Sequence, residues 1–181
     1  QGDTLFPYTT LFRSAAGAEL PNGIYEEKDM RNSNYSIKRN WYYNDETMST
    51  YQSKCTITDD TWSVGKLFPA LTKFFFGKAE NLQLTGSYKD RMKFRLAETY
   101  LLLAEAYLGQ NKPDLAADAV NEVRRRAGAT PVADADMNMD YLLDERIREL
   151  VGEESRRFTL VRTGMLVERA RKYNDDVRGV I

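Results

Sequence analysis

A strong helical periodicity begins near Met92 and limits the folds that are open to this chain. Apolar side chains recur there at intervals of three and four residues: Leu96, Tyr100, Leu103, Ala104, Tyr107 and Leu108. This spacing places them on one face of a helix, and Gly109 is a typical helix end. We therefore predict a first helix from about Met92 to Gly109, with this apolar face buried.

A second helix is predicted directly after a short polar turn, Gln110–Lys112. Pro113 suits the first position of a helix, and Gly128 marks its end. Its apolar face consists of Leu115, Ala116, Ala119, Val120 and Val123. Because the turn is so short, the two helices are expected to pack as antiparallel neighbours, with small alanines allowing a close approach.

A third helix is predicted from about Met137 to Gly152, capped by Asp136 or Asn138. Its apolar face consists of Leu142, Leu143, Ile147, Leu150 and Val151. The polar face is charged, and the spacing favours the pairs Asp144–Arg148 and Arg146–Glu149. After the short segment Arg156–Arg162, a last helix is expected around Met165–Lys172. The shared core is predicted to contain Leu96, Leu103, Leu108, Val120, Val123, Ile147 and Leu150.

The sequence before the helices, residues 17–91, is loop-rich and contains short alternating stretches such as Thr56–Thr58 and Leu82–Leu84. Two aromatic clusters interrupt it, Trp41–Tyr43 and Trp62–Phe76. Aromatic residues at this density usually pack a core, and an exposed platform for a ligand is the alternative. The pattern alone leaves both interpretations open.

Residues 1–16 stand apart from the rest of the sequence. Leu5–Ser14 shows neither helical nor strand periodicity and lacks the basic and apolar regions of a signal peptide. It resembles the translation of a sequencing-library adapter, so we expect residues 1–16 to be an artefact and residues 5–14 to pack against nothing. A natural N-terminal extension is the alternative interpretation. The remaining chain divides into the loop-rich part, 17–91, and the helical part, 92–181.

Composition excludes several classes of function. The chain has no histidine and one cysteine, Cys55, which removes Ser-His and Cys-His catalysis, most zinc sites and an internal disulfide. The net charge of −1 disfavours nucleic-acid binding. Charges at helical spacing are interpreted as solvated faces or inter-helix ion pairs rather than catalytic groups. We predict no catalytic residue, no metal and no cofactor.

The helical part carries motifs that resemble a known family. The first two helices are similar to a tetratricopeptide repeat. Four segments in this order are similar to the C-terminal region of the SusD/RagB family: Arg95–Ala106, Val120–Gly128, Asp144–Leu150 and Arg156–Gly164. The segment Phe68–Phe74 also resembles the part that precedes this region. Thr159 stands where family members often carry an acid, which weakens one ion pair.

The resemblance implies a mainly α, SusD-like fold with a tetratricopeptide-like helix pair, further C-terminal helices and a loop-rich N-terminal half. It implies a non-catalytic protein of the outer membrane at the cell surface, which binds an oligosaccharide and delivers it to a SusC-like TonB-dependent transporter. The lipid anchor and earlier repeats are expected to lie outside this chain. Exposed aromatic rings of the loop-rich part are the candidate glycan contacts: Trp41, Tyr42, Tyr43 and Trp62.

Two other functions compete with this interpretation. A fragment of a glycoside hydrolase would need a pair of carboxylates around the glycosidic bond. Asp59-Asp60 is the one acidic pair in an aromatic neighbourhood, and a turn is its simpler explanation. A tetratricopeptide-type adaptor would instead bind a peptide in the groove formed by repeated helix pairs.

Overall fold

The computed structural model describes residues 25–56, 70–73 and 93–173. Residues 1–16, Asp59-Asp60, Trp62 and Leu82–Leu84 lie outside the described residues. Two short strands, β1 (Ile37–Lys38) and β2 (Ala70–Leu71), pair antiparallel, with Ile37 opposite Leu71. The helices are α1 (Leu96–Gly109), α2 (Pro113–Arg126), α3 (Met139–Leu150), α4 (Arg156–Arg162) and α5 (Leu166–Tyr173). The predicted mainly α fold is confirmed.

Helices α1 and α2 pack against each other as the predicted pair. Their linker turns sharply, and Asn111 takes a left-handed backbone conformation with φ of 57°. Pro113 is the first residue of α2, as predicted. The alanines that face α1, which include Ala116 and Ala119, are 0% and 5% exposed, so small side chains do line the contact.

The buried face of α1 differs from the predicted one. Leu96 and Leu103, both predicted in the core, are 67% and 41% exposed. Leu101 and Ala104 are instead fully buried. Leu101, Leu102 and Leu103 are consecutive and together point around more than half of the helix, so periodicity could not decide which of them faces α2. Packing against α2 decides it.

The rest of the core follows the prediction closely. Val120, Val123 and Leu150 are buried together with Leu101, and Leu108 is partly buried against them. Ile147 was predicted in this core and packs elsewhere: it lies against a second cluster formed by Tyr25, Ile37, Leu71 and Val151. Helix α3 therefore has two apolar faces, one toward α1 and α2 and one toward the strands.

The segment before β1 docks on the C-terminal end of α2. The backbone N–H of Met30 donates to the carbonyl of Ala127 at 2.8 Å. Gly128 follows with φ of 68°, and a β-carbon there would lie 3.6 Å from the carbonyl oxygen of Lys28. A glycine suits both the left-handed backbone and this close approach. The docking places residues 25–33 beside α3.

Helix α3 begins where the sequence predicted a cap. The side chain of Asn138 accepts a hydrogen bond from the backbone N–H of Tyr141 at 2.9 Å, so Asn138, rather than Asp136, is the cap. The loop before it is fixed by Asn121 of α2, whose side chain bonds both the N–H and the carbonyl of Val132. Among the described residues, no helix combines the length and apolar character needed to cross a membrane.

We predict that Leu101→Ala destabilises the chain by about 2–5 kcal/mol, because it removes a fully buried side chain between α1 and α2. Leu96→Ala is the matched control on the same helix, and its exposed side chain should make the change cost less than about 0.5 kcal/mol. Urea denaturation followed by circular dichroism measures both. Equal losses in the two variants would contradict the buried face described here.

Candidate functional site

The consecutive aromatic residues Trp41–Tyr43 lie on one arm of a short antiparallel ribbon. The N–H of Cys55 donates to the carbonyl of Trp41 at 2.8 Å, and Tyr43 exchanges backbone hydrogen bonds with Ser53 and Gln52. Since side chains alternate along an extended segment, Trp41 and Tyr43 share one face and Tyr42 takes the other. The ribbon continues from β1, so its base is anchored where Ile37 is buried.

The rings of this ribbon are accessible to solvent. Tyr42 and Tyr43 are 58% and 41% exposed, while Trp41 is half-buried. The ammonium of Lys38 lies 4.0 Å from the centre of the Trp41 ring, which is a cation–π distance. Sequence reasoning missed Lys38, although its position three residues before Trp41 was visible. The fourth predicted ligand residue, Trp62, lies outside the described residues.

Local polar contacts shape the turn of the ribbon. The carboxylate of Asp45 accepts from the backbone N–H of Thr47 at 2.9 Å and from its hydroxyl at 2.6 Å. These hydrogen bonds hold the pKa of Asp45 below its usual range. Two further apolar side chains, Met48 and Tyr51, are exposed beside it. The ribbon therefore presents aromatic rings next to hydrogen-bonding groups.

A second feature is the burial of two glutamates of α3 among arginines. Glu145 and Glu149 are 0% and 2% exposed. Nη1 of Arg31 donates to both, at 2.7 Å to Oε1 of Glu145 and at 2.9 Å to Oε2 of Glu149. Further arginines complete what we call the ion-pair cluster: Arg95, Arg124, Arg126 and Arg148.

Each carboxylate of the ion-pair cluster is bonded on both oxygens. Oε2 of Glu145 accepts from Nη1 of Arg124 at 2.7 Å and from Nε of Arg148 at 2.8 Å. Oε1 of Glu149 accepts from Nη2 of Arg126 at 2.6 Å and also from Arg95. Full hydrogen bonding is what allows charges to stay buried.

The same cluster fastens the segments that carry the ribbon. Nη2 of Arg31 donates to Asp29 at 2.7 Å, and the hydroxyl of Tyr25 donates to the carbonyl of Arg148 at 3.1 Å. Nζ of Lys73, just after β2, donates to the carbonyl of Glu149 at 2.8 Å. Both strands of the small sheet are therefore tied to α3.

These contacts differ from the pairs that helical spacing predicted. Arg146 bonds Glu154 instead of Glu149, with Nε at 2.9 Å from Oε2. Asp144 bonds Arg169 of α5 at 2.6 Å. Burial explains the difference, because Arg146 is 3% exposed and cannot pair along a solvated face. Of the two predictions for these charges, ion pairs with other segments fit the structure better than solvated helix faces.

A cleft of about 240 Å³ opens beside the ion-pair cluster, between the small sheet and α3. Its lining is rich in cations and hydroxyls and includes Arg31, Tyr35, Thr72, Lys73, Arg95, Arg126 and Arg148. Burial alone would raise the pKa of Glu145, but Arg31 and Arg148 outweigh it and hold that pKa below its usual range. Burial would also raise the pKa of Glu153, but hydrogen bonds from Arg95 and Lys73 lower it below its usual range. Such carboxylates stay ionised, so they suit ion pairing rather than proton donation.

Comparison with known proteins identifies the family of this architecture. The profile of the SusD family matches residues 12–178. The chain belongs to the SusD family. A relative within it, SusD-like protein P25 of Formosa agariphila, is 32% identical over 124 residues, which are 65% of this chain and 24% of that protein. The chain thus spans about a quarter of the length of this relative. No solved structure matches it significantly.

Three of the four SusD-family motifs that were recognised in the sequence meet in the ion-pair cluster. Arg95 begins the first motif, Arg124 and Arg126 belong to the second, and Glu145 and Glu149 belong to the third. The predicted family membership is confirmed. In this chain, these motifs supply the two buried carboxylates of α3 and arginines that pair with them.

We predict that Glu149→Gln costs about 3–5 kcal/mol of stability, because it leaves buried guanidinium groups without their carboxylate. Glu122→Gln is the control, since it breaks an exposed pair with Arg125 and should cost less than about 0.5 kcal/mol. Thermal unfolding of the two variants beside the unmutated chain measures the difference. Similar melting temperatures for both variants would show that the cluster is not stabilising.

We also predict that acid weakens the fold through these carboxyl groups. The pKa values of Glu145 and Glu153 are lower in the folded chain than their ordinary value of 4.5. Their contribution to stability is therefore complete above about pH 4.5 and is lost as the pH falls through the folded pKa values. Urea denaturation between about pH 6 and pH 3 should show this loss, with a smaller slope in Glu145→Gln. A slope unchanged by that substitution would refute the assignment.

Proposed function

We propose that this chain is the C-terminal part of a glycan-binding protein that has no catalytic activity of its own. The observation that carries the proposal is the exposed aromatic ribbon, joined with membership of the SusD family. The faces of tyrosine and tryptophan offer rigid apolar area to the C–H faces of a sugar ring. Lys38 and the polar side chains of the turn can bond the hydroxyl groups of the same sugar.

The described carboxyl groups with shifted pKa values do not suit the acid role in a glycoside hydrolase. A glycoside hydrolase needs one carboxyl group that holds its proton near neutral pH. In residues 25–56, 70–73 and 93–173, every carboxyl whose pKa departs clearly from its ordinary value is shifted downward: Glu26, Asp45, Glu145 and Glu153. Carboxyl groups with lowered pKa values lose their protons well below neutral pH, so they cannot serve as the proton donor of a glycoside hydrolase. The hydrolase interpretation therefore finds no support in this part of the chain.

The adaptor interpretation is also less favoured. A repeat adaptor presents the groove between stacked helix pairs to its partner. Here the described part of the chain contains a single such pair, α1 and α2, and α3 packs against it. We propose that the pair serves as a scaffold, and that the ligand binds at the ribbon.

We further propose that the complete protein works in nutrient uptake at the outer membrane, where it passes an oligosaccharide to a SusC-like TonB-dependent transporter. This part of the proposal rests on family membership alone. Its test is to isolate the complete protein from its own membranes under mild detergent and to identify what copurifies with it. A TonB-dependent transporter in stoichiometric amount supports the proposal, and isolation of the protein alone contradicts it.

We predict that Tyr42→Ala and Trp41→Ala in the full-length protein each weaken oligosaccharide binding by about tenfold, as expected for loss of one stacking ring. Tyr35→Ala is the control, because this tyrosine is 92% exposed but lies before β1, outside the ribbon. Isothermal titration calorimetry with a panel of oligosaccharides measures the affinities. Circular dichroism verifies the fold of each variant.

The outcomes of this titration are distinct. Weaker binding in the ribbon variants but not in Tyr35→Ala supports the proposed site. Unchanged affinity in both ribbon variants, with the fold intact, places the sugar elsewhere. Release of reducing ends from the same oligosaccharides during the titration would show hydrolysis and overturn the non-catalytic assignment.

A further inference from the structure

Positive and negative side chains are separated along the aromatic ribbon. Its basic residues lie at the end that joins β1: Lys38, Arg39 and Lys54. Its acidic residues lie in the turn at the other end: Asp45 and Glu46. Hydroxyl groups within the ribbon donate hydrogen bonds to both of these carboxylates. The acids are therefore held by local contacts in the turn, apart from the basic end.

No carboxylate balances the basic end in the part of the chain that the structure describes. The guanidinium of Arg39 donates to the backbone carbonyl of Asn32 at 2.8 Å and to its side chain. The ammonium of Lys38 contacts the ring of Trp41, and neither Lys38 nor Lys54 forms an ion pair within residues 25–56, 70–73 and 93–173. Both lysines are exposed. A negatively charged ligand would therefore be attracted to this end of the ribbon.

Each of these exposed lysines lies beside one of the candidate stacking rings. The ammonium of Lys38 lies 4.0 Å from the centre of the Trp41 ring. Tyr42 and Lys54 pair across the ribbon in an antiparallel bridge. The side chains of such a pair project from the same face, with their β-carbons about 4.5–5.5 Å apart. A sugar stacked on either ring therefore has an ammonium group close to its edge.

The position of Lys38 distinguishes charged sugars from neutral ones. A sugar that stacks on the face of Trp41 next to Lys38 displaces the ammonium, and the cation–π contact is lost. A neutral sugar replaces that contact only with hydrogen bonds to its hydroxyl groups. A uronic acid or a sulfated sugar carries an anionic group at the edge of its ring, where the flexible stem of Lys38 can follow it. The resulting charge-assisted hydrogen bond is the stronger replacement.

We propose that the ribbon binds an anionic glycan, whose sugars carry carboxylate or sulfate groups, and that Lys38 and Lys54 determine this preference. The sugar ring stacks on Trp41 or Tyr42, and the ammonium of the adjacent lysine bonds the anionic group. This inference rests on the proposed function, because it names the class of glycan that the same ribbon takes.

The test compares charged oligosaccharides with their own neutral forms by isothermal titration calorimetry on the full-length protein. The probes are oligogalacturonate and oligomannuronate with their methyl esters, and sulfated galactan oligosaccharides with their desulfated forms. The two members of a pair share ring configuration and linkage, so the difference in affinity reports the charge. In at least one pair, the charged member should bind about tenfold more tightly. The pair that shows this preference distinguishes carboxylate from sulfate.

Substitution of the two lysines tests their role directly. The double variant Lys38→Gln/Lys54→Gln should lose the tenfold preference and keep its affinity for the neutral member within about twofold. The double variant Lys38→Arg/Lys54→Arg should retain the preference, because it keeps both charges. Lys112→Gln is the matched control, since it removes one exposed ammonium from the turn between α1 and α2. It should bind both members as the unmutated protein does.

The outcomes separate this inference from the proposed function. Loss of the charge preference in the double glutamine variant, but not in Lys112→Gln, supports the inference. Equal affinity for charged and neutral members, or binding of neutral oligosaccharides alone, overturns it and leaves glycan binding in place. An unchanged preference in the double glutamine variant also overturns it, because the charge is then recognised elsewhere. If neither charged nor neutral oligosaccharides bind, both the inference and the proposed function fail.

A second measurement covers the case in which the double glutamine variant does not fold. Raising sodium chloride from about 50 mM to about 500 mM should weaken binding of the charged probe to the unmutated protein severalfold, because salt screens exposed charges. The affinity for the neutral member of the same pair should not change. An affinity for the charged probe that does not respond to salt overturns the inference.

Discussion

The burial of Glu145 and Glu149 is the constraint on which the rest of the structure depends. Removing these carboxylates from water costs several kcal/mol each unless cations and hydrogen bonds surround them. One helix cannot supply that surrounding, so it comes from the segment before β1, from the start of α1 and from the end of α2. Because the charges are compensated only when these segments are all in place, the cluster sets the position of the small sheet relative to the helices. Hydrophobic packing between α1 and α2 alone would leave that position open.

Local sequence signals predicted those parts of the fold that depend on neighbouring residues. Pro113, Asn138 and the spacing of Val120 and Val123 act within a turn or two, and they predicted the approximate bounds of α2 and α3 and the buried face of α2. The orientation of α1 depends on what it packs against, because leucines point in several directions around it. Choosing Leu101 over Leu103 requires knowledge of α2 in space, which the periodicity of α1 does not contain.

In the candidate site, too, local sequence signals failed where contacts between distant segments determine the structure. Charge spacing along α3 predicted pairs within the helix, but Glu145 bonds Arg31, which lies 114 positions away in sequence. No nearby residue indicates such a partner. The prediction used the spacing rule for pairs on an exposed helix face, and this rule does not apply to buried charges. For Trp41–Tyr43, the sequence pattern favoured core packing and kept an exposed platform as the alternative. In the structure, Tyr42 and Tyr43 are exposed. Backbone hydrogen bonds between Tyr43 and residues 52–53 hold this segment in a ribbon outside the two apolar clusters.

The ion-pair cluster and the exposed aromatic rings lie in separate parts of the structure. Ile37 is buried beside α3, while the aromatic rings begin only a few residues later, beyond the last contact with the second apolar cluster. The backbone hydrogen bonds of Tyr43, Met48 and Tyr51 run within the ribbon itself. A substitution at Tyr42 or Tyr43 therefore changes an exposed surface without disturbing the ion-pair cluster, whereas a change at Glu149 disturbs every segment that the cluster joins. A scaffold built in this way can keep its motifs while its exposed rings change, so one fold can present different surfaces.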